Sequence, residues 1–260
     1  ERLGVRDGDV VVARITEYPT RRSSAVVTLD RRVGSSDELD LNVEAVMASY
    51  GLPGDFPASA LQEAEGIEAR VGEALEGDRG RRDLRELLCV TIDPADARDF
   101  DDAVSARRLG DGGFELGVHI ADVSHYVCPD GPIDNEAKRR TCSAYLVDRV
   151  IPMLPERLCN DVCSLRPGED RLAMSVIMTL DARGKVVRAR MCSSAIRSAA
   201  RLSYDQVDAL LEGSLETGGL PCAPGTAQEV AELLRVLDEI RSLRERVRRE
   251  RGAIDFETVE

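Results

Sequence analysis

The sequence of 260 residues contains no tryptophan, and its five tyrosines and four phenylalanines are its only large aromatic side chains. A binding surface that relies on many stacking rings is therefore excluded. No apolar run approaches the ~20 residues that a membrane-spanning helix needs, and no basic segment followed by an apolar one stands at the start. We therefore expect a cytoplasmic chain without a membrane partner, and nothing in the sequence indicates its oligomeric state.

Positive charge is also scarce. The chain carries 35 basic and 48 acidic side chains, a net charge of −13 at neutral pH, which is the wrong sign for a general nucleic-acid binder. Hydrophobic residues make up 43% of the chain, which is enough to form the buried core of one large or two small domains. Disorder of the whole chain is thereby excluded.

The seven cysteines include no Cys-x-x-Cys pair. Their number is odd and the chain is too long to need a disulfide framework, so we expect reduced thiols. Cys159 and Cys163 are four residues apart and could share a helix face, but the two histidines, His119 and His125, lie well upstream. A zinc site is therefore less favoured than buried, apolar thiols.

The pattern of apolar residues predicts an α+β fold with a mixed or antiparallel sheet and packed helices. The first 33 residues read as two strands, too few to bury a core alone, which indicates a partial β-barrel. Helical stretches follow to about residue 88, and strands joined by glycine turns begin at about 87. LAMSVIMTL alternates apolar with smaller or polar residues, and VVRARMCSSAI, across the DARGK turn, is its predicted hairpin partner.

Two helices carry start signals. Ser203 and Gln206 form a capping-box pattern ahead of YDQVDALLE, and Thr226 and Glu229 repeat it ahead of a longer helix. The apolar face of the longer helix consists of Val230, Leu233, Leu234, Leu237, Ile240 and Val247. Its arginine-rich second half is interpreted as a solvated face rather than an RNA-binding one.

Ten residues, DPADARDFDD, contain five aspartates and follow an apolar, strand-like run. Such crowding of like charge is unfavourable unless a cation neutralises it. Asp99 and Asp101 are two residues apart, so in an extended segment they point the same way, while Asp102 points across and Asp93 stands at the strand end. Aspartates that only cap turns are the alternative interpretation, because Asp is common in turns.

Magnesium suits this array better than calcium or zinc. A calcium loop would need oxygen ligands at alternate positions, then glycine and glutamate at fixed places, and that spacing is missing. Zinc would require histidine or cysteine close by. Two magnesium ions held ~3.5–4 Å apart by carboxylates can support phosphoryl transfer.

Five blocks in order, TIDPADARDFDDAVS, LGVHIADVSHYV, DRVIPMLPERL with CSLRPGEDRLA, ARLSYDQV and RGAIDFE, resemble the catalytic domain of the ribonuclease II and ribonuclease R family. The resemblance implies that 81–260 is the N-terminal part of that exoribonuclease domain. It also implies that 1–33 is the C-terminal part of a cold-shock-type OB domain, with a helical connecting segment over 34–80. On this interpretation the chain is truncated at both ends.

The family's activity is processive degradation of RNA from a single-stranded 3′ end to nucleoside 5′-monophosphates, with Mg2+ as cofactor. By resemblance, Asp93, Asp99, Asp101 and Asp102 match its active-site aspartates, with Asp93 and Asp102 as metal ligands and Asp101 the most sensitive to loss. Tyr145 and Tyr204 match tyrosines that contact nucleotides near the 3′ end. The alternative for both tyrosines is a packing role.

Two further functions remain open. One is a non-catalytic RNA-binding relative that keeps the fold, and the other is a magnesium-dependent phosphoesterase that acts on small molecules. The family also uses a glutamate and an arginine further along the domain, and neither is found before Glu260. We therefore expect this chain alone to be inactive or weak as an exoribonuclease.

Overall fold

The computed structural model describes residues 4–20, 23–35, 41–146, 149–223 and 225–254. The chain divides into two compact units, one of residues 1–57 and 136–153, the other of residues 58–135 and 154–260. The last residues of the RGAIDFE block lie outside the described residues. None of the helices in the described ranges combines the length and the apolar character that crossing a lipid bilayer requires.

Runs of strands and runs of helices follow one another along the chain. The strands are β1 (Asp9–Glu17), β2 (Val26–Ser35), β3 (Arg82–Asp83), β4 (Val90–Asp93), β5 (Asp102–Arg108), β6 (Phe114–Ala121), β7 (Ala144–Tyr145), β8 (Val150–Ile151), β9 (Asp170–Leu180), β10 (Val186–Arg197) and β11 (Ala200–Ser203). The helices are α1 (Leu41–Ser49), α2 (Ala58–Glu65), α3 (Val71–Gly77), α4 (Val123–Tyr126), α5 (Pro132–Arg140), α6 (Tyr204–Leu211) and α7 (Ala227–Glu250), with a π-helical turn over Leu158–Val162 and a 3-10 turn over Thr217–Gly219.

The smaller unit is built on an antiparallel pair. Strands β1 and β2 pair with three register shifts, and α1 follows them. Strands β7 and β8 form a second, two-residue antiparallel pair. Arg140 stabilises this unit, because its guanidinium donates to the carbonyls of Gly54 at 2.7 Å and Pro152 at 3.1 Å and lies 3.6 Å from the centre of the Phe56 ring.

The larger unit is built on a seven-stranded sheet in the order β11-β4-β5-β6-β9-β10-β3. The pairs β11–β4 and β10–β3 are parallel and the others are antiparallel. The sheet is therefore mixed, and the predicted α+β class is confirmed. The predicted hairpin is also present, since β9 and β10 pair from Leu180 and Val186 outward across a turn that contains Gly184.

Helix α7 covers one face of this sheet. Its buried residues Val230, Leu233 and Leu234 pack with Val90 and Leu202 of two neighbouring strands, and Val236 and Ile240 pack with Phe114 and Leu180 further along. Four residues of the predicted apolar face, Val230, Leu233, Leu234 and Ile240, are therefore in the core, because their spacing of three and four residues keeps them on one side of the helix. Val236, which was not predicted, is buried with them, whereas Leu237 and Val247 are only partly buried.

The two predicted capping boxes have different outcomes. At Ser203 the side chain accepts from the Gln206 amide, and the Gln206 side chain accepts from the Ser203 amide. At Thr226 the prediction is wrong, since its hydroxyl makes no cap hydrogen bond and instead donates to the Ala223 carbonyl at 2.7 Å. Thr226 already has helical backbone angles, whereas a capping side chain needs an extended residue.

Candidate active site

The aspartates lie where two neighbouring strands meet at one end of the sheet. Asp93 is the last residue of β4 and Asp102 is the first residue of β5. Residues 94–100, which we call the aspartate loop, connect Asp93 to Asp101 and contain Asp99. Because β4 and β5 are antiparallel neighbours, the end of one and the beginning of the other lie side by side. The backbone carbonyl of Asp101 accepts from the Ala121 amide at 2.8 Å.

Burial and mutual repulsion act on these carboxyl groups. Burial raises the pKa of Asp93, with a further upward effect from Asp102 and a downward one from Arg201. The pKa of Asp101 is raised to about 6, first by loss of solvent around its carboxyl and then by the charges of Asp99, Asp102 and Asp93. The four aspartates predicted from the sequence therefore lie within electrostatic reach of one another.

This donor set fits a hard divalent cation. All four side chains offer carboxylate oxygens, which Mg2+ prefers. The Oδ2 atom of Asp93 is buried and has no hydrogen-bond partner, and a cation would compensate that atom and relieve the repulsion between the carboxylates. Across the described residues, no three His, Cys, Asp or Glu side chains already converge to metal-binding geometry.

Arg201 holds the beginning of the aspartate loop. It lies on β11, opposite Thr91 of β4, and its Nη2 atom donates to the carbonyls of Pro94 and Ala95, each at 2.7 Å. Its guanidinium also lies 5.4 Å from the centre of the Phe100 ring, near the other end of the loop. No sequence signal identified this residue, because Arg201 is separated from the loop by about a hundred positions.

Ser164 holds the end of the loop. Its hydroxyl, fully buried, donates to the Arg98 carbonyl at 3.0 Å and accepts from the Phe100 amide at 3.1 Å. The adjacent Leu165 amide donates to the Phe100 carbonyl at 2.9 Å. The backbone on both sides of Asp99 is therefore fixed by one serine, which the sequence interpretation also missed.

The segment before β9 is tied together by ion pairs. Arg166 lies 3.4 Å from Glu169 and 3.2 Å from Asp161, and Arg171 lies 2.5 Å from Glu169. Both arginines are therefore engaged in ion pairs with nearby acids. Asp170 forms ion pairs with Arg85 at 2.8 Å through Oδ2 and with Arg197, the last residue of β10, at 2.7 Å through Oδ1.

The two predicted RNA-contacting tyrosines occupy different units. Tyr204 is the first residue of α6 and follows Ser203, which is paired with Asp93 in the parallel β11–β4 ladder. Tyr204 is 49% exposed, and its position in the chain is next to the strand residue that pairs with Asp93. Tyr145 lies on β7 in the smaller unit and is 70% exposed, and it therefore does not serve as a core residue there.

The thiols near the site are protonated at neutral pH. Burial raises the pKa of Cys159 to about 11 and that of Cys163 to about 12, and the charges of nearby aspartates, Asp101 among them, act in the same direction. All seven cysteines are free, as the reduced state predicted from the sequence requires. A protonated thiol is a poor metal ligand, so the carboxylates are the groups of this region whose chemistry fits a cation.

The two histidines have different environments. His119 is fully buried, with its ring nitrogens 3.0 Å from the Ser105 hydroxyl and 2.7 Å from the Ser175 hydroxyl, so it has a structural role. His125 lies exposed on α4. Its ring makes an edge contact with Tyr126, the centres 5.0 Å apart.

Comparison with known proteins agrees with the fold. The model of the RNB domain matches residues 81–260 and that of a cold shock domain matches residues 1–57. Ribonuclease R of Thermotoga maritima is 40% identical over 99% of this chain and 35% of its own length, and ribonuclease R of Escherichia coli is 39% identical over 99% of this chain and 31% of its own length. The chain therefore belongs to the RNB-domain family of ribonuclease II and ribonuclease R.

Solved structures show the same architecture. Mycoplasma genitalium RNase R, in complex with ribose-methylated single-stranded RNA, superposes with a TM-score of 0.89 at 31% identity, over 99% of this chain and 38% of that one. Yeast Ssd1, described as a pseudonuclease, reaches a TM-score of 0.67 at 19% identity, over 91% of this chain and 28% of that one, which shows a shared fold only. The chain spans about a third of the length of the curated relatives it matches.

Proposed function

We propose that this chain carries the aspartate site of a magnesium-dependent, processive 3′-to-5′ exoribonuclease that releases nucleoside 5′-monophosphates. The observation that supports this most strongly is the gathering of Asp93, Asp99, Asp101 and Asp102 at one end of the sheet, where burial and mutual repulsion raise carboxyl pKa values. Clustered carboxylates beside a phosphodiester are useful only with a cation between them. A cytoplasmic location is part of the same proposal.

The roles proposed for the aspartates follow from their positions. Asp93 and Asp102 lie at the ends of neighbouring strands and hold cations. Asp99, in the aspartate loop, and Asp101, which follows that loop, complete the site. Bound magnesium would lower the pKa of water for attack on the last phosphodiester and stabilise the leaving oxygen. Three carboxylates act on Asp101 and raise its pKa, and the family resemblance implies that its loss is the most damaging.

Single-stranded RNA with a free 3′ end is the proposed substrate. Tyr204 offers an exposed ring next to the strand end of Asp93, where it can stack on a base of any identity. Tyr145 offers a second exposed ring. The relatives support this substrate class, as M. genitalium RNase R has been solved with single-stranded RNA and with double-stranded RNA.

A non-catalytic RNA-binding protein of the same fold is the second candidate, because a described pseudonuclease shares this fold. The aspartates oppose it, since a protein that only binds RNA gains nothing from clustered negative charge beside phosphates. A non-catalytic relative would bind RNA with an affinity that is independent of magnesium. The aspartate site predicts that magnesium strengthens binding at the 3′ end.

Degradation of labelled RNA tests the proposal. This chain alone, and a chimera in which it replaces the matching third of ribonuclease R from Thermotoga maritima, are incubated with magnesium and 5′-labelled single-stranded RNA. We expect weak or no turnover by the chain alone and shortening from the 3′ end, with release of nucleoside 5′-monophosphates, by the chimera. Asp101→Asn in the chimera should lower the rate by about 100-fold or more.

The control is Asp96→Asn in the same chimera. Asp96 belongs to the same loop and is exposed, and none of the resolved carboxyl pKa shifts involves it, so its loss should leave the rate within about twofold. A chimera that folds and degrades RNA equally well with Asn at position 101 would contradict the proposal.

A further inference from the structure

The aspartate loop is held mainly by two side chains from distant parts of the chain. We propose that Arg201 and Ser164 are positioning residues that fix this loop and thereby set the cation affinity of the aspartate site. The inference rests on the proposed function, because it concerns the same carboxylates. Neither side chain is itself a cation ligand, since one is a cation and the hydroxyl of the other is committed to two loop atoms.

Arg201 connects the loop to the sheet. The pairing of Arg201 with Thr91 places the arginine on a strand that runs parallel to β4, so its backbone is part of the rigid sheet. From there Nη2 reaches two successive loop carbonyls, those of Pro94 and Ala95, at 2.7 Å. The contact of the guanidinium with the Phe100 ring, at 5.4 Å, adds a second point of attachment.

Ser164 fixes the other side of the loop. Its hydroxyl bridges the Arg98 carbonyl and the Phe100 amide, the two residues that flank Asp99. Arg171 in turn donates from Nε to the Ser164 carbonyl at 2.9 Å and is itself buried. The backbone on both sides of Asp99 is therefore fixed by a hydrogen-bond chain that ends on β9.

A cation site needs its ligands to be held in place by contacts such as those of Arg201 and Ser164 with the aspartate loop. Magnesium demands nearly octahedral ligands at ~2.0–2.1 Å, whereas unneutralised carboxylates repel one another. Without contacts from outside, a loop with several aspartates would relax away from Asp93 and Asp102. Hydrogen bonds to neutral backbone atoms fix the loop without neutralising any carboxylate.

The charge of Arg201 makes the inference sharply testable. Arg201 is a cation held beside the aspartate loop, because its Nη2 atom donates to the carbonyls of Pro94 and Ala95 at 2.7 Å. If charge alone mattered, removing this arginine would strengthen cation binding, because one repelling positive charge would be lost. If Arg201 positions the loop, its removal weakens cation binding, so the two explanations predict opposite signs.

The test is a titration of the chain with Mn2+ as a spectroscopic probe, with free Mn2+ measured by electron paramagnetic resonance. We expect Arg201→Met and Ser164→Ala each to weaken Mn2+ binding by about tenfold or more, as losses of supporting hydrogen bonds around metal sites do. Arg201→Lys, which keeps the charge and fewer of the bonds, should fall between Arg201→Met and the unaltered chain.

Matched controls separate positioning from general destabilisation. Arg188→Met removes an exposed arginine of β10, and Ser194→Ala removes a buried hydroxyl that donates to the Ala173 carbonyl at 3.0 Å. Both controls should bind Mn2+ as the unaltered chain does. Hydrogen exchange should accelerate in the aspartate loop of the Arg201 and Ser164 variants while the strands keep their protection, which shows that the variants are folded.

The outcomes are distinguishable. Mn2+ binding that is unchanged or tighter in Arg201→Met, or a Ser164→Ala variant that behaves like Ser194→Ala, overturns the positioning inference and leaves the cation site in place. Absence of Mn2+ binding by the unaltered chain contradicts the cation site and this inference together.

Discussion

At the residue scale, one group of buried polar side chains in the larger unit forms a hydrogen-bond network. His119 bridges Ser105 and Ser175, and the Ser175 hydroxyl lies 2.6 Å from that of Ser194. Gly117 belongs to the same arrangement, because a Cβ atom there would lie 2.3 Å from the Ser105 hydroxyl. The network needs a neutral imidazole, since nothing around it compensates a positive charge.

The stability of the chain should therefore depend on pH through His119. Burial lowers the pKa of His119 from 6.5 to about 4, so below about pH 6.5 the unfolded chain takes up a proton that the folded chain rejects. Stability is present above that pH and is lost as the pH falls toward 4, by about 2 kcal/mol between pH 7 and pH 5. Urea unfolding at these two pH values measures the loss.

The comparison with His119→Gln isolates this effect. Asp101 acts in the opposite direction in the same range, because its raised pKa makes its contribution more favourable as the pH falls. The contribution of Asp101 is the same in the unaltered chain and in His119→Gln. It therefore cancels when the change in the free energy of unfolding between pH 7 and pH 5 is compared between the two proteins. A variant that loses as much stability on acidification as the unaltered chain would contradict the prediction, while the exposed His125→Gln serves as the control.

The residues around the aspartate loop differ in how far they could be predicted from the sequence. The cluster of four aspartates could be predicted because its members are close in sequence, while their role as a cation site stays a prediction. Arg201 and Ser164 could not, since each reaches the loop from more than sixty positions away, and only the strand order brings them there.

At the element scale, the periodicity of apolar residues was a better guide to the helices and strands than the capping patterns at helix ends. The hairpin of β9 with β10 and the apolar face of α7 around Val230 depend on the burial of several side chains at once, and both predictions are confirmed. The one-sided burial expected from the alternation in β9 is wrong, because Ala173 and Ser175 are buried whereas Met174 and Val176 are only partly buried. A cap depends on the backbone angles of one residue. Ser203 is extended and caps α6, whereas Thr226 is helical and does not cap α7, although the two sequence patterns match.

Because Ser203 caps its helix and Thr226 does not, we expect their alanine variants to lose different amounts of stability. Ser203→Ala should lower the free energy of unfolding by about 1 kcal/mol, because the Gln206 amide loses its acceptor. Thr226→Ala should change it by less than about 0.5 kcal/mol, since that hydroxyl satisfies no helix amide. Equilibrium urea unfolding of the two variants at pH 7 checks both values, and equal losses would show that the cap at Ser203 contributes nothing specific.

At the scale of the whole molecule, net charge was a coarse guide. The value of −13 argues against nucleic-acid binding, but part of that charge is concentrated in the aspartates at the sheet end, where a cation would convert it into a phosphate site. The α+β class followed from the mixture of periods, whereas the strand order could not be predicted, because the parallel β11–β4 pair joins segments about a hundred residues apart.

Direct magnesium binding tests the central claim. Isothermal titration of Mg2+ into the chain should give a binding isotherm that Asp101→Asn abolishes and that Asp96→Asn leaves unchanged, since only the first belongs to the crowded carboxylate group. Equal binding by all three proteins, or equal losses in the two variants, would contradict a cation site formed by Asp93, Asp99, Asp101 and Asp102.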